Sequence, residues 1–190
     1  LDVVGYAGTG SNVQQSNGIG LYDKAKLIGD KINLRGYGVP KDPQDISDQQ
    51  AISDQRITDK IDDYSDGFDN HGIAINESMV KANHSLVLKG DAGFGQKYLD
   101  GVHMNHSDLF SESKLKIIGK GNPLGNSFEH SSGIYSHDTR MISDGLLKLA
   151  GDGGLGERIK KSHGIELSSS FIDGMNVKIV GNGGGGGRLN

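Results

Sequence analysis

The sequence predicts an all-β chain, a parallel β-helix solenoid of about six coils of ~30 residues with one acidic insertion. Three observations carry this expectation. A glycine-bracketed unit recurs along the chain. Apolar residues alternate inside each unit. Large side chains are too scarce for a thick globular core: hydrophobic residues make up 34% of the 190, aromatics 6%, and Trp is absent, while Gly reaches 31. A thin repetitive core asks less of composition than a compact one does.

The units read "NGIGLYDKAKLIGDKINLRGYG", "HGIAINESMVKANHSLVLKGDAG", "DGVHMNHSDLFSESKLKIIGKG", "SGIYSHDTRMISDGLLKLAGDGG" and "HGIELSSSFIDGMNVKIVGNGG". Each opens on a glycine (Gly18, Gly72, Gly101, Gly133, Gly164) and closes on another (Gly36, Gly90, Gly119, Gly151, Gly181). Opening and closing glycines lie 18 residues apart in the first four units and 17 in the last. From Gly72 onward the opening glycines are spaced 29, 32 and 31; the outlier is 54, between Gly18 and Gly72. Residues 1–16, with Gly5 in the closing position, are the tail of a preceding coil.

The columns of this alignment alternate. Ile19, Ile73, Val102, Ile134 and Ile165 follow the opening glycine. Leu21, Ile75, Met104, Ser136 and Leu167 stand two further on. Between them, Gly20, Ala74, His103, Tyr135 and Glu166 share no common chemistry. Period-two alternation marks a strand with one buried face. The same pattern precedes each closing glycine, with Ile32/Leu34, Leu86/Leu88, Leu115/Ile117, Leu147/Leu149 and Val177/Ile179 facing in. An apolar pair also lies mid-unit, from Leu27-Ile28 to Phe171-Ile172. Six positions after the opening glycine, Ser78, Ser107, Thr139 and Ser170 (Lys24 in the first unit) form a hydroxyl column that can bond along the axis. The glycines are expected to make the corners, where φ > 0 or tight packing is needed. A hairpin would show a primed turn at mid-unit, and none recurs. A leucine-rich repeat would need a shorter period and an Asn ladder.

The "GIxL…S…LxIxGxG" units, as in "GIAINESMVKANHSLVLKG" and "GIELSSSFIDGMNVKIVGNG", resemble the right-handed parallel β-helix of bacterial exoproteins, of the filamentous-haemagglutinin-like and autotransporter-passenger type. That resemblance implies export, an extracellular or cell-surface location, and a non-catalytic structural or adhesive role in a surface rod or fibre. The implied partners are further copies or neighbouring β-helix segments, end to end, and a surface glycan or protein.

Residues 39–70, "VPKDPQDISDQQAISDQRITDKIDDYSDGFDN", break the period. From 41 to 70 there are nine Asp against three basic residues, a net of −6 within a chain of −4. The segment is expected to leave the stack as a surface loop with a short amphipathic helix from Arg56 to Tyr64, because burying unpaired carboxylates costs several kcal/mol each. Gly36 and Gly90 should then occupy adjacent coils. Residues 183–190 are read as a glycine-rich flexible end. The whole, 1–190, is a single domain, and its opening on Leu1 marks a processed product or an excerpt.

No catalytic, cofactor-binding or metal-ligating residue is assigned. Calcium is the cofactor that "DDYSDGFDN" suggests, but Asp62, Asp63, Asp66 and Asp69 lack EF-hand spacing, and "GGLGER" puts Arg158 where a calcium nonapeptide needs Asp. The alternative is a carbohydrate-active enzyme, a polysaccharide lyase or hydrolase. Hydrolysis there needs paired carboxylates, and the column Asn17, His71, Asp100, Ser132, His163 offers one. The Arg158-Ile159-Lys160 and Ser162-His163-Gly164 elements fall in the wrong order for a polygalacturonase-like site. The seven histidines, 71, 84, 103, 106, 130, 137 and 163, read as scattered surface residues. His103 and His106, three apart on a strand, should point to opposite faces. No basic field argues for nucleic acid, no apolar run reaches the ~20 residues of a membrane span, and the absence of Cys excludes thiolate chemistry.

Overall fold

A computed structural model describes residues 1–7, 17–38, 69–93, 98–122, 130–155 and 161–184. These residues form an all-β parallel β-solenoid, which fits the expected right-handed β-helix. Its strands are β1 (Asp2–Tyr6), β2 (Ile19–Leu21), β3 (Lys26–Tyr37), β4 (Ile73–Asn76), β5 (Met79–Asp91), β6 (Val102–Asn105), β7 (Asp108–Ser111), β8 (Lys114–Lys120), β9 (Ile134–His137), β10 (Arg140–Asp152), β11 (Ile165–Ser168) and β12 (Phe171–Asn182). The long strands stack as β1-β3-β5-(β7, β8)-β10-β12, and the short ones as β2-β4-β6-β9-β11. All strand pairings are parallel, so like residue sits over like at ~4.8 Å.

Six coils were expected; the chain makes about four turns. A turn is complete only when the chain returns to the short sheet, and β2 to β11 spans four such returns. The sequence count took every glycine-bracketed unit, and the tail at Gly5, as a coil of its own. Gly5, Gly36 and Gly90 do pair in neighbouring rungs, despite the 54 residues between the last two. The expected helix at Arg56–Tyr64 and nearly all of the insertion lie outside the described residues.

The alternating columns build the core. Ile73, Ile75, Leu86, Leu88, Val102, Met104, Leu115, Ile117, Ile134, Leu147 and Leu149 are fully buried, each such side chain stabilising the fold by about 1.5–3 kcal/mol. The mid-unit strand fuses with the one after it. β3 and β10 run through a register shift, after Gly29 and Ser143, where the strand bends. The inward mid-unit column is Leu27, Val80, Leu109, Met141 and Ile172. In the last rung the same inward pattern is open: Leu167, Val177 and Ile179 are 39–48% exposed.

The closing glycines serve tight packing, one of the two expected reasons, but within strands and not at corners. Gly36, Gly90, Gly119 and Gly151 lie inside long strands, not at corners. A Cβ on any of them would strike the carbonyl oxygen of the opening glycine across the solenoid, Gly72, Gly101, Gly133 or Gly164. Close backbone approach, not positive φ, demands glycine there. The left-handed corner after β4, β6, β9 and β11 is instead made by Glu77 (φ 48°), His106 (47°), Asp138 (44°) and Ser169 (49°), and after β2 by Asp23 (55°) and Lys24 (63°). The hydroxyl column secures this corner. Ser78, Ser107, Thr139 and Ser170 each donate to the carbonyl two residues back, at 2.7, 2.7, 2.9 and 3.0 Å. The hydroxyls therefore serve mainly local turns rather than one another, though the Ser78 amide donates to Ser107 Oγ at 3.3 Å.

The outer face of the long sheet carries a basic patch, flanked by Asp2 on β1, which accepts from Asn33, and by Asp91 and Asp152 in the next outward column. Across β3, β5, β8, β10 and β12 three outward columns carry Lys31, Arg35, Lys89, Lys114, Lys116, Lys148 and Lys178, and no carboxylate. Lys116, Lys148 and Lys178 stand on successive rungs. The Lys116 ammonium is shifted below its ordinary range, by partial desolvation and then by repulsion from Lys148, Lys114 and Lys89.

Candidate functional site

The corner leading into the short sheet gathers polar side chains from three columns. Tyr98, His130 and Lys161 bridge in register three residues before the opening glycines. His71, Asp100, Ser132 and His163 stand one residue before them. His103, Tyr135 and Glu166 point outward from the short strands.

Asp100 is the hub and has no solvent exposure. Its Oδ1 accepts the Ser132 amide at 2.9 Å and His130 Nδ1 at 3.0 Å; its Oδ2 accepts His103 Nδ1 at 3.0 Å. Burial alone would raise its pKa, but the hydrogen bonds from His103 and His130 prevail and hold the carboxyl below its usual range. His130 then reaches outward, its Nε2 lying 2.7 Å from Glu166 Oε2. Burial works to neutralise it, yet hydrogen bonds with Asp100 and Glu166 push its pKa up to about 8. Two carboxylates clasp its ring, one at each nitrogen. His163 Nδ1 meets the same Glu166 oxygen at 2.8 Å. Burial of Glu166 is outweighed by these two histidines, so its pKa is lowered.

His71 behaves oppositely. Burial, then repulsion from His103, lowers its pKa to about 3. Its Nδ1 accepts the Asp100 amide at 3.2 Å, so its 3.7 Å approach to Asp100 Oδ2 is not an ion pair at neutral pH. The rings pack against one another: His71 on His103 at 4.3 Å between centroids, and His103 on Tyr135 at 4.8 Å. Beside them lies an open groove of about 360 Å³, edged by Asp69, Tyr98, His103, His106, Tyr135 and His137.

Six of the seven histidines thus gather on the short sheet and its two corners, not scattered over the surface; His84, exposed on β5, is the exception. His103 and His106 share the groove instead of facing apart, because the left-handed turn at His106 breaks strand alternation. Two sets of donors converge within 4.8 Å: His71, Asp100 and His103, and His130, His163 and Glu166. Asp100 and Glu166 are joined through His130, so the cluster holds two carboxylates where the corner column offered one. Arg158, Ile159 and Lys160, and most of the Asp-rich stretch weighed for calcium, lie outside the described residues. The sequence signal for the cluster was the set of columns −3, −1 and +2 from each opening glycine, read jointly across neighbouring coils; taken singly they share no chemistry. The chain matches no family model, no curated protein and no solved structure.

Proposed function

We propose that this solenoid is a non-catalytic structural and adhesive segment of an exported bacterial surface rod, and that its long-sheet face meets anionic surface glycans. The observation that carries the reading is the lysine face: seven cations on three outward columns of the long sheet, which carry no carboxylate from β3 to β12. Like charges stacked on adjacent rungs destabilise a sheet, and a polyanion laid across the rungs would offset them. Extension into a rod accords with the last rung, whose exposed Leu167, Val177 and Ile179 suit cover by another parallel coil.

The test is binding of an acidic polysaccharide to the whole chain, followed against salt. Affinity should fall steeply with ionic strength, and Lys116→Glu with Lys148→Glu should abolish it while the circular dichroism is retained. Binding that ignores both charge reversals would overturn the adhesive reading.

One observation favours a second reading, a carbohydrate-active enzyme. Buried Asp100 orients His103 beside the groove, an arrangement suited to a general base. Polysaccharide cleavage lost in His103→Ala, with binding intact, would select it.

A further inference from the structure

We propose that His130, His163 and Glu166 form a three-ligand site for a divalent transition-metal cation, with zinc the ion it fits best. The donors already converge: His130 Nε2 and His163 Nδ1 lie 2.7 and 2.8 Å from one oxygen, Glu166 Oε2. Around a zinc ion with bonds of about 2.1 Å, neighbouring donors stand roughly 3.0–3.4 Å apart. Each nitrogen therefore needs to draw back from Glu166 Oε2 by only a few tenths of an ångström, and all three atoms lie within 4.8 Å of one another. Glu166 and His163, 27% and 47% exposed at the side chain, have room to do so. Two imidazoles and a carboxylate, with no thiolate, suit zinc and its neighbours in the first transition row. Calcium prefers six to eight oxygens.

The outer shell strengthens the case. A metal-bound histidine usually gives its other ring N–H to a carboxylate, which sets its tautomer and aims its lone pair. His130 does so already, with Nδ1 on buried Asp100 at 3.0 Å; a bound ion would replace the Nε2 proton that Glu166 accepts, releasing it to solvent. Asp100 is itself held by the Ser132 amide and His103. The two carboxylates, Asp100 and Glu166, would balance the charge of a divalent ion. The other converging set is a poorer site. His71 Nδ1 spends its lone pair on the Asp100 amide, and both Asp100 oxygens are engaged. The geometry also gives the ion a role. His130 belongs to the penultimate coil and His163 and Glu166 to the last, so a bound ion would tie the last rung to the stack.

The experiment is titration of the whole, metal-free chain with zinc chloride by calorimetry, with thermal melts and the absorption spectrum of the cobalt(II) form. Expected are one saturable ion per chain, a raised melting temperature, and a cobalt spectrum of low-coordinate intensity. His163→Ala and Glu166→Gln should each weaken binding at least tenfold, and Asp100→Asn about 10–100-fold; His84→Ala should leave it unchanged. His163 is exposed, so its replacement leaves the fold intact and keeps the test clean. The proposal is overturned if no saturable uptake occurs, if His163→Ala and Glu166→Gln bind as well as the native chain, or if His103→Ala abolishes binding while His163→Ala does not.

Discussion

The short sheet has two flanks, built on the same rung-to-rung ladder and used in opposite ways. At the corner after four of the five short strands, the chemistry repeats: a left-handed residue, then Ser78, Ser107, Thr139 or Ser170 closing the turn. At the corner before it, the backbone ladder is equally regular, with the Gly72, Gly101 and Gly133 amides bonded to the next coil. The side chains there differ at every rung, His71, Asp100, Ser132, His163. A corner that needs one hydrogen bond per rung uses one residue type. A corner whose residues bond across rungs needs complementary partners, acid beside base. Repetition marks the part that folds the chain, and departure from repetition marks the part with chemistry to perform.

Perturbing the two flanks should separate them, most strongly at the variable one. Asp100→Ala leaves His130 and His103 without their buried acceptor. Breaking a buried charged network costs about 3–5 kcal/mol, and chemical denaturation should show a loss of that size. Next comes acid. His71 has a folded pKa of about 3, below its unfolded value of about 6.5. Folding therefore excludes its proton, and stability is lost as pH falls from 6.5 toward 3. The slope of the melting free energy should approach about 1.4 kcal/mol per pH unit from this group. The charged and titrating neighbours that face it are Asp100, His103 and His130. His71→Gln should flatten that limb.

The repeated flank should respond less. Ser107→Ala removes donation to Asn105 and Ile75 and acceptance from the Ser78 amide, a loss of about 2 kcal/mol with no change in the pH profile. Smallest of all, Glu77→Gly relieves a left-handed conformation on an exposed residue. Relief of about 1–2 kcal/mol against about 0.5–1 kcal/mol of glycine entropy leaves a gain of about 0.5 kcal/mol, visible as a slightly higher melting temperature. A loss at Glu77→Gly, or a pH effect at Ser107→Ala, would blur the distinction between the flanks.

How much of this was readable in advance follows from the same contrast. The inward columns, the stacking, and the pairing of Gly36 with Gly90 were legible, because each rests on one residue type recurring at one spacing. The role of the glycines was not, since a sequence records that Cβ is missing but not whether a turn or the opposite strand requires it. Ser107 was found but its partner was misjudged, as its nearest carbonyl belongs to its own turn. The cluster around Asp100 escaped because it is assembled from unlike residues 30 and 36 positions apart, His130 with Asp100 and with Glu166.

The all-parallel register has a mechanical consequence. Hydrogen bonds between rungs run along the solenoid axis, so tension applied between the first and last rungs pulls them open in sequence rather than shearing them together. From Gly72 onward each rung that lets go frees 29 to 32 residues, or about 100 Å of extended chain, and the coil that carries the insertion frees 54, or about 180 Å. Pulled in a force instrument, the molecule should lengthen in near-even steps with one longer step, a fuse that yields turn by turn and re-forms when slack returns.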